Sequence, residues 1–271
     1  MRASEPVDHA ALAREVLARE LAAAVRAAGA LALKSFKAPV RSWFKHGGSP
    51  VSEADLAVDA LLRERLAAPG LAWLSEESED DPARLAAERV WIVDPIDGTR
   101  AFLAGLPDWS IAIALVQAGR PILGAVYAPV TDEFFLAAAG DGARLNDRPI
   151  AASDGSALAG AHAAGPERRL ARLADAASVV AEPKVHSLAL RIARVAQGRL
   201  DIALVGPDGH DWDLAAADLL VHEAGGALTT LGGEALLYNR PRLTHGALLA
   251  AGSARHRALL ELMREGKIAF R

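Results

Sequence analysis

The chain has 271 residues, 52% of them hydrophobic and only 5% aromatic, so Ala, Leu and Val carry a core large enough for one big domain or two closely packed ones. A formal net charge of −4 with no Lys/Arg cluster argues against a nucleic-acid-binding stripe, and zero cysteines exclude disulfides, zinc–thiolate sites and thiol catalysis. Glu5 and Asp8 interrupt the N-terminus, so no signal peptide is expected, and every apolar run meets a charge before the ~18 residues that a membrane span needs. The expectation is a soluble, cytoplasmic protein, with peripheral attachment to an inner membrane left open.

Over residues 8–36, Leu12, Val16, Leu17, Leu21, Ala24, Ala28 and Leu31 recur at helical spacing. His46, Gly47, Gly48, Ser49 and Pro50 read as a turn or mobile loop. Ser52 to Asp55 opens a second helix to about Leu66, with the Ser-x-x-Asp pattern of a capping box. A short strand at 71–74 runs into Ser75, Glu76, Glu77 and Ser78. The apolar run 90–93 predicts a buried strand, which Pro95 is expected to stop. Strands at 109–116, 122–127 and 133–138, separated by turns, predict an antiparallel meander. The second half alternates: strand 178–181, helix 186–197, strand 201–205, helix 213–224, strand 227–230, strand 247–251 and a last helix from 253 to about 264. A seam near 150–160 divides an N-terminal α+β half (1–150) from a C-terminal α/β half (151–271). The layout is mixed α and β, with sheets covered by helices.

The most informative segment is Trp91-Ile92-Val93-Asp94-Pro95-Ile96-Asp97-Gly98-Thr99. Two carboxylates at the end of a buried strand are expensive without a partner. Gly98 and Thr99 then supply backbone N–H groups and a hydroxyl suited to an anion. Hard oxygen ligands beside an anion cradle suit Mg²⁺ and a phosphate. Glu76 and Asp213 also fall at element ends, where α/β folds gather ligands. The plainer readings are a solvated acidic loop for Glu76 and Glu77, a helix N-cap for Asp213 and a capping residue for Asp55. No phosphate-loop, dinucleotide or nucleophile-elbow motif occurs. Asp94 and Asp97 stand three apart, unlike the Asp-x-Asp of aspartyl-nucleophile phosphatases, which favours attack by metal-activated water.

These residues resemble the inositol monophosphatase superfamily of Mg²⁺-dependent, lithium-sensitive phosphomonoesterases. The first of that family's signatures is similar to Trp91–Thr99; the second is similar to Trp212-Asp213-Leu214-Ala215-Ala216 continuing to Glu223-Ala224-Gly225-Gly226. Ser49-Pro50-Val51-Ser52, Ala54-Asp55 and Ser75-Glu76-Glu77 follow the family order too. The resemblance implies a layered αβαβα sandwich, a homodimer and two to three Mg²⁺ ions. Glu76, Asp94 and the Ile96 carbonyl would hold the first ion, and Asp94, Asp97 and Asp213 the second. A third, weaker one would lean on Glu76, with Asp55 helping through water. Gly98 and Thr99 would seat the phosphate, and Thr99 with Asp55 would orient the attacking water.

Arg100 after Thr99, and Leu237-Tyr238-Asn239 later, are more similar to CysQ-type 3'(2'),5'-bisphosphate nucleotidases. There Arg100 would partner a second phosphate. His186-Ser187 departs from the family's Gly-Ser beside the substrate and would reshape the pocket. The implied substrate is a small soluble phosphate ester, first adenosine 3',5'-bisphosphate, then inositol 1-phosphate, histidinol phosphate or fructose 1,6-bisphosphate. The non-enzyme alternative is a pseudo-enzyme that senses metal or nucleotide; it predicts loss of a ligand acid, and Glu76, Asp94, Asp97 and Asp213 are all present.

Overall fold

The Ala-rich periodicity at the N-terminus becomes α1 (His9–Ser35), which turns Leu21, Ala24, Val25, Ala28 and Ala32 inward. The computed structural model describes residues 9–45 and 48–268, so the turn expected at His46 and Gly47 lies outside the described residues. A small hairpin, β1 (Ser42–Phe44) and β2 (Pro50–Ser52), leads into α2 (Glu53–Leu66). The capping box at its start is real: Ser52 caps Ala54, while Asp55 accepts the Ser52 N–H.

A seven-stranded sheet follows in simple sequence order: β3 (Leu71–Ser75), β4 (Arg89–Asp97), β5 (Ser110–Gln117), β6 (Arg120–Ala128), β7 (Glu133–Ala138), β8 (Ala143–Leu145) and β9 (Arg148–Ile150). Only β3 and β4 are parallel; the remainder is the expected meander. Between β4 and β5 lies the single-turn helix α3 (Thr99–Leu103).

The second half contributes β10 (His162–Ala164), α4 (Glu167–Ala177), β11 (Val180–Ala181), α5 (Leu188–Ala196), β12 (Ile202–Val205), β13 (Gly209–His210), α6 (Asp211–Glu223), β14 (Gly226–Thr230), β15 (Thr244–His245), β16 (Leu248–Gly252) and α7 (Ser253–Arg264). Five of these strands form a mixed sheet in the order β11-β10-β12-β16-β14. The sequence pattern missed α4 and the short strands β1, β2, β8, β9, β10, β13 and β15, while it anticipated β11.

Three apolar clusters stack these elements into five layers, as expected for the αβαβα sandwich. One joins α1 and α2 to the outer face of the seven-stranded sheet. A second fills the space between the two sheets with α5 and α6. A third lies between the five-stranded sheet and α4 with α7. The middle layer is tight because it is built from small residues: a Cβ at Gly124 would sit 3.1 Å from the Ala216 backbone, so α6 rides almost directly on β6. No helix among the described residues is long and apolar enough to cross a membrane.

Candidate active site

Alternation along β4 decides which side each residue of the central motif faces. Trp91 and Val93 enter the cluster with α1 and α2, while Val90 and Ile92 face α5 and α6. Strict alternation would put Asp94 and Ile96 together and Asp97 opposite. The strand instead carries an irregularity: Asp94 pairs with Ala112 and Asp97 with Ser110, three residues against two. That bulge returns Ile96 to the α1–α2 core and re-aims Asp97 beside Asp94. Pro95 therefore does not end the strand, as the sequence suggested. Lacking an N–H, it occupies the one stretch of the ladder where pairing is skipped.

Asp213 arrives from the other half. It is the third residue of α6, not its N-cap, and its Oδ2 accepts the His210 N–H at 2.7 Å. Carboxylate oxygens of Asp94, Asp97 and Asp213 lie within 4.8 Å of one another. They floor a cavity of about 720 Å³ that Glu76, Gly98, Thr99, Arg100 and His186 also line.

Each acid is held in place. Ile96 N–H donates to Asp94 Oδ1 at 3.0 Å. The Ser187 hydroxyl and the Ala189 N–H, at the first turn of α5, both donate to Asp97 Oδ2 at 2.6 Å. Lys45 bridges Glu76 (3.3 Å) and Glu77 (2.7 Å). Asp55 does not line the cavity; it is buried behind Thr99, whose hydroxyl lies 3.2 Å from Asp55 Oδ1 and 3.0 Å from the Ile96 carbonyl. Gly98 adopts φ +91°, and a Cβ there would come within 3.2 Å of the Ser187 N. No other residue suits that corner.

The electrostatics are strained. Burial, then the charges of Glu76, Asp97 and Asp213, push the Asp94 carboxyl well above the usual range. Burial and Asp97 do the same to Asp213. Asp97 rises to about 6 through burial, with its hydrogen bonds to Ser187 and Ala189 holding the rise back. Burial likewise lifts Glu77 to about 7 against the pull of Lys45. Among the described residues, no Lys or Arg makes an ion pair with Asp94, Asp97 or Asp213. Four oxygen acids around one cavity, two of them buried and none of Asp94, Asp97 and Asp213 ion-paired to a Lys or Arg among the described residues, match the donor set of a hard divalent cation.

The inositol monophosphatase family model matches residues 13–266, nearly the whole chain. The chain belongs to the inositol monophosphatase family. The inositol-1-monophosphatase of Rhizobium meliloti is 38% identical over 188 residues, 65% of this chain and 70% of that protein. The histidinol-phosphatase of Mycobacterium tuberculosis is 37% identical over 204 residues, 69% of this chain and 76% of that protein. The crystal structure of the extragenic suppressor protein suhB from Bartonella henselae superposes with a TM-score of 0.80 at 28% identity, covering 92% of this chain and 98% of that one. The two relatives named first are phosphatases, and the chain is an inositol monophosphatase family phosphatase.

Against that family background, several neighbours of the site were not legible beforehand. Lys45, Lys184 and His210 line the cavity, and Trp212 stacks on His210 with ring centroids 4.7 Å apart. Ser187 links Asp97 to Ser110, whose hydroxyl is 2.9 Å away. Arg191 on α5 is half-buried; its buried Nε has no hydrogen-bond partner, and its charge acts on Asp97 and Asp213. Leu237-Tyr238-Asn239 sits elsewhere: Tyr238 is fully buried and donates to Asp218 at 2.9 Å, and Asn239 serves Arg84 and Asp211. Those three residues do not line the cavity, so they lend no support to a nucleotide substrate.

Proposed function

We propose that the chain is a Mg²⁺-dependent phosphomonoesterase that hydrolyses a small soluble phosphate ester, R–O–PO₃²⁻ plus water giving R–OH and phosphate. The observation that carries this reading is the triad of buried Asp94 and Asp97 with half-buried Asp213, with oxygens within 4.8 Å and, among the described residues, no Lys or Arg ion pair, on the floor of an open cavity. Two to three Mg²⁺ ions would be held by Glu76, Asp94 and the Ile96 carbonyl, by Asp94, Asp97 and Asp213, and more weakly by Glu76 with Asp55. Bound there, Mg²⁺ would supply an activated water and neutralise charge on the phosphoryl and departing oxygens.

The chain's own residues would do the rest. Thr99, donating its proton to Asp55, leaves its hydroxyl oxygen to accept a hydrogen bond from the attacking water and so aims the water's lone pair at phosphorus. The N–H groups of Gly98 and Thr99, at the start of α3, would seat the phosphate. Arg100, His186 and Asp213 would contact the remainder of the substrate. A homodimer, lithium sensitivity and a cytoplasmic setting belong to the same reading, supported by family membership.

For the substrate we place adenosine 3',5'-bisphosphate first, because the cations lining the cavity, Arg100 and Lys184 among them, offer partners for a second phosphate. Inositol 1-phosphate is the second reading, favoured by the activity for which the relative at 38% identity is named. Phosphate release from both esters, with Mg²⁺ and with EDTA, tests the proposal. Mg²⁺-dependent release is expected, with kcat/KM at least about tenfold higher for the nucleotide. A preference for inositol 1-phosphate would keep the mechanism and overturn the substrate, and no release from any small ester would overturn both.

A further inference from the structure

The catalytic cavity has a neighbour. A second cavity, of about 620 Å³, is lined by Pro107, Asp108, His162, Glu182, Arg194 and Arg199, and it shares Lys184 and His186 with the first. These two residues therefore form the saddle between them. The imidazole on the saddle is fixed. Asp108 Oδ2 lies 2.7 Å from both the His186 N–H and the His186 Nδ1, which makes Nδ1–H a donor to that carboxylate and leaves Nε2 as the ring's unused polar atom. Asp108 stays ionised: burial pushes its carboxyl up, but the two His186 hydrogen bonds outweigh that and hold it below the usual range.

Lys184 is exposed and makes no ion pair among the described residues. Of the other cations near the site, Arg191, whose Nε has no hydrogen-bond partner, acts on Asp97 and Asp213, and the rest are at least partly engaged. Lys45 is spent on Glu76 and Glu77, and Arg100 points Nη2 at the Gly48 carbonyl, 3.4 Å away. On the far wall the acids are matched too, Glu182 by His162 and Glu133 by Arg194 and Arg199. The saddle is thus left with an unspent ammonium beside a clamped imidazole, next to a floor that repels anions unless metal is bound.

We infer that Lys184 and the Asp108-clamped His186 form a second-anion subsite, so that the preferred substrate is a phosphomonoester whose leaving group carries another anionic group and reaches towards the second cavity. This rests on the phosphomonoesterase reading and narrows it to a substrate class. His186 touches the substrate; Asp108 is a positioning residue that acts through it.

Adenosine 3',5'-bisphosphate and adenosine 3'-monophosphate share the scissile phosphate and differ only in the second anion. Phosphate release from each, with Mg²⁺, is compared for the wild type, Lys184→Ala, Asp108→Asn and Arg100→Ala. The wild type is expected to favour the bisphosphate by at least about tenfold in kcat/KM. That ratio should fall at least about fivefold in Lys184→Ala and Asp108→Asn, through KM rather than kcat. Should Asp108→Asn fail to fold, Lys184→Ala, an exposed change, still decides. Equal treatment of the two esters by the wild type overturns the subsite. So does a ratio kept in Lys184→Ala but lost in Arg100→Ala, or release from inositol 1-phosphate with neither nucleotide cleaved. No Mg²⁺-dependent release from any of the three esters removes the phosphatase reading, and the subsite with it.

Discussion

Glu133 and Asp94 are buried carboxylates on strands of the same sheet, treated in opposite ways. Glu133, at the start of β7, receives Arg194 at 2.7 Å, Arg199 at 3.4 Å and the Thr131 hydroxyl at 2.7 Å. Burial pushes its carboxyl up, and Arg194 and Thr131 more than reverse that, so it is held below the ordinary range. Asp94 is met by further acids instead and is driven the other way. A fold that supplies two arginines to one carboxylate, yet among the described residues pairs no Lys or Arg with three others, could take a cation from solution there. Where positive charge is built in, the carboxylate belongs to the structure; where it is withheld, the carboxylates are those proposed above to hold a metal ion.

The comparison breaks most visibly by mutation of its two poles. Asp94→Asn is expected to lower kcat by on the order of 10³-fold or more, while the protein stays folded. Its melting temperature in EDTA should equal or exceed the wild type's, because a repelled buried charge has gone. Near-normal phosphate release, or a lower melting temperature by circular dichroism, would put Asp94 in the wrong class. Glu133→Gln should do the reverse. Breaking one partner of a buried pair costs about 3 kcal/mol, read by urea denaturation, with turnover per folded molecule unchanged.

Asp218 sharpens the contrast as an intermediate case. Among the described residues its hydrogen-bond partner is the Tyr238 hydroxyl, and burial lifts its carboxyl to about 6 against that bond and the more distant charges of His222, Arg120 and His245. The folded pKa lies above the unfolded one. Between about pH 4 and pH 6 the folded state therefore keeps a proton that the unfolded state has released, and stability falls as pH rises through that window. The shift corresponds to roughly 3 kcal/mol. Asp218→Asn should flatten that slope and raise stability above pH 6, and an unchanged slope would exclude Asp218 as its source. The smallest expected effect is at the corner of the site. Gly98→Ala should cost about 1–2 kcal/mol from the left-handed backbone alone, and should also lower kcat by moving Thr99. Full activity with unchanged stability would mean that the φ of +91° is not required.

The chemistry-bearing acids were legible because Asp94 and Asp97 interrupt an apolar strand, a pattern that only a ligand explains well. The mixed α and β layout was legible from alternating periodicities, whereas the αβαβα layering was expected only from the family resemblance. The bulge at Pro95 was not, since alternation and proline both predict a strand end; only the pairing partners Ala112 and Ser110 reveal that the strand continues. The positions of Lys45, Lys184 and His186 around one cavity depend on contacts between segments more than eighty residues apart, which no local pattern encodes. Tyr238 misled because its sequence neighbourhood resembles a substrate segment, while packing under β13 and β15 turns its hydroxyl onto Asp218.

The central claim is that the triad Asp94, Asp97 and Asp213 is a cation site. Its most direct test is calorimetric titration of Mg²⁺ into the metal-stripped wild type and into Asp213→Asn. Binding to the wild type, lost or strongly weakened in the variant, with a matching rise in melting temperature of the wild type alone, is the predicted result. Equal Mg²⁺ binding by both proteins, or none by either, would contradict it.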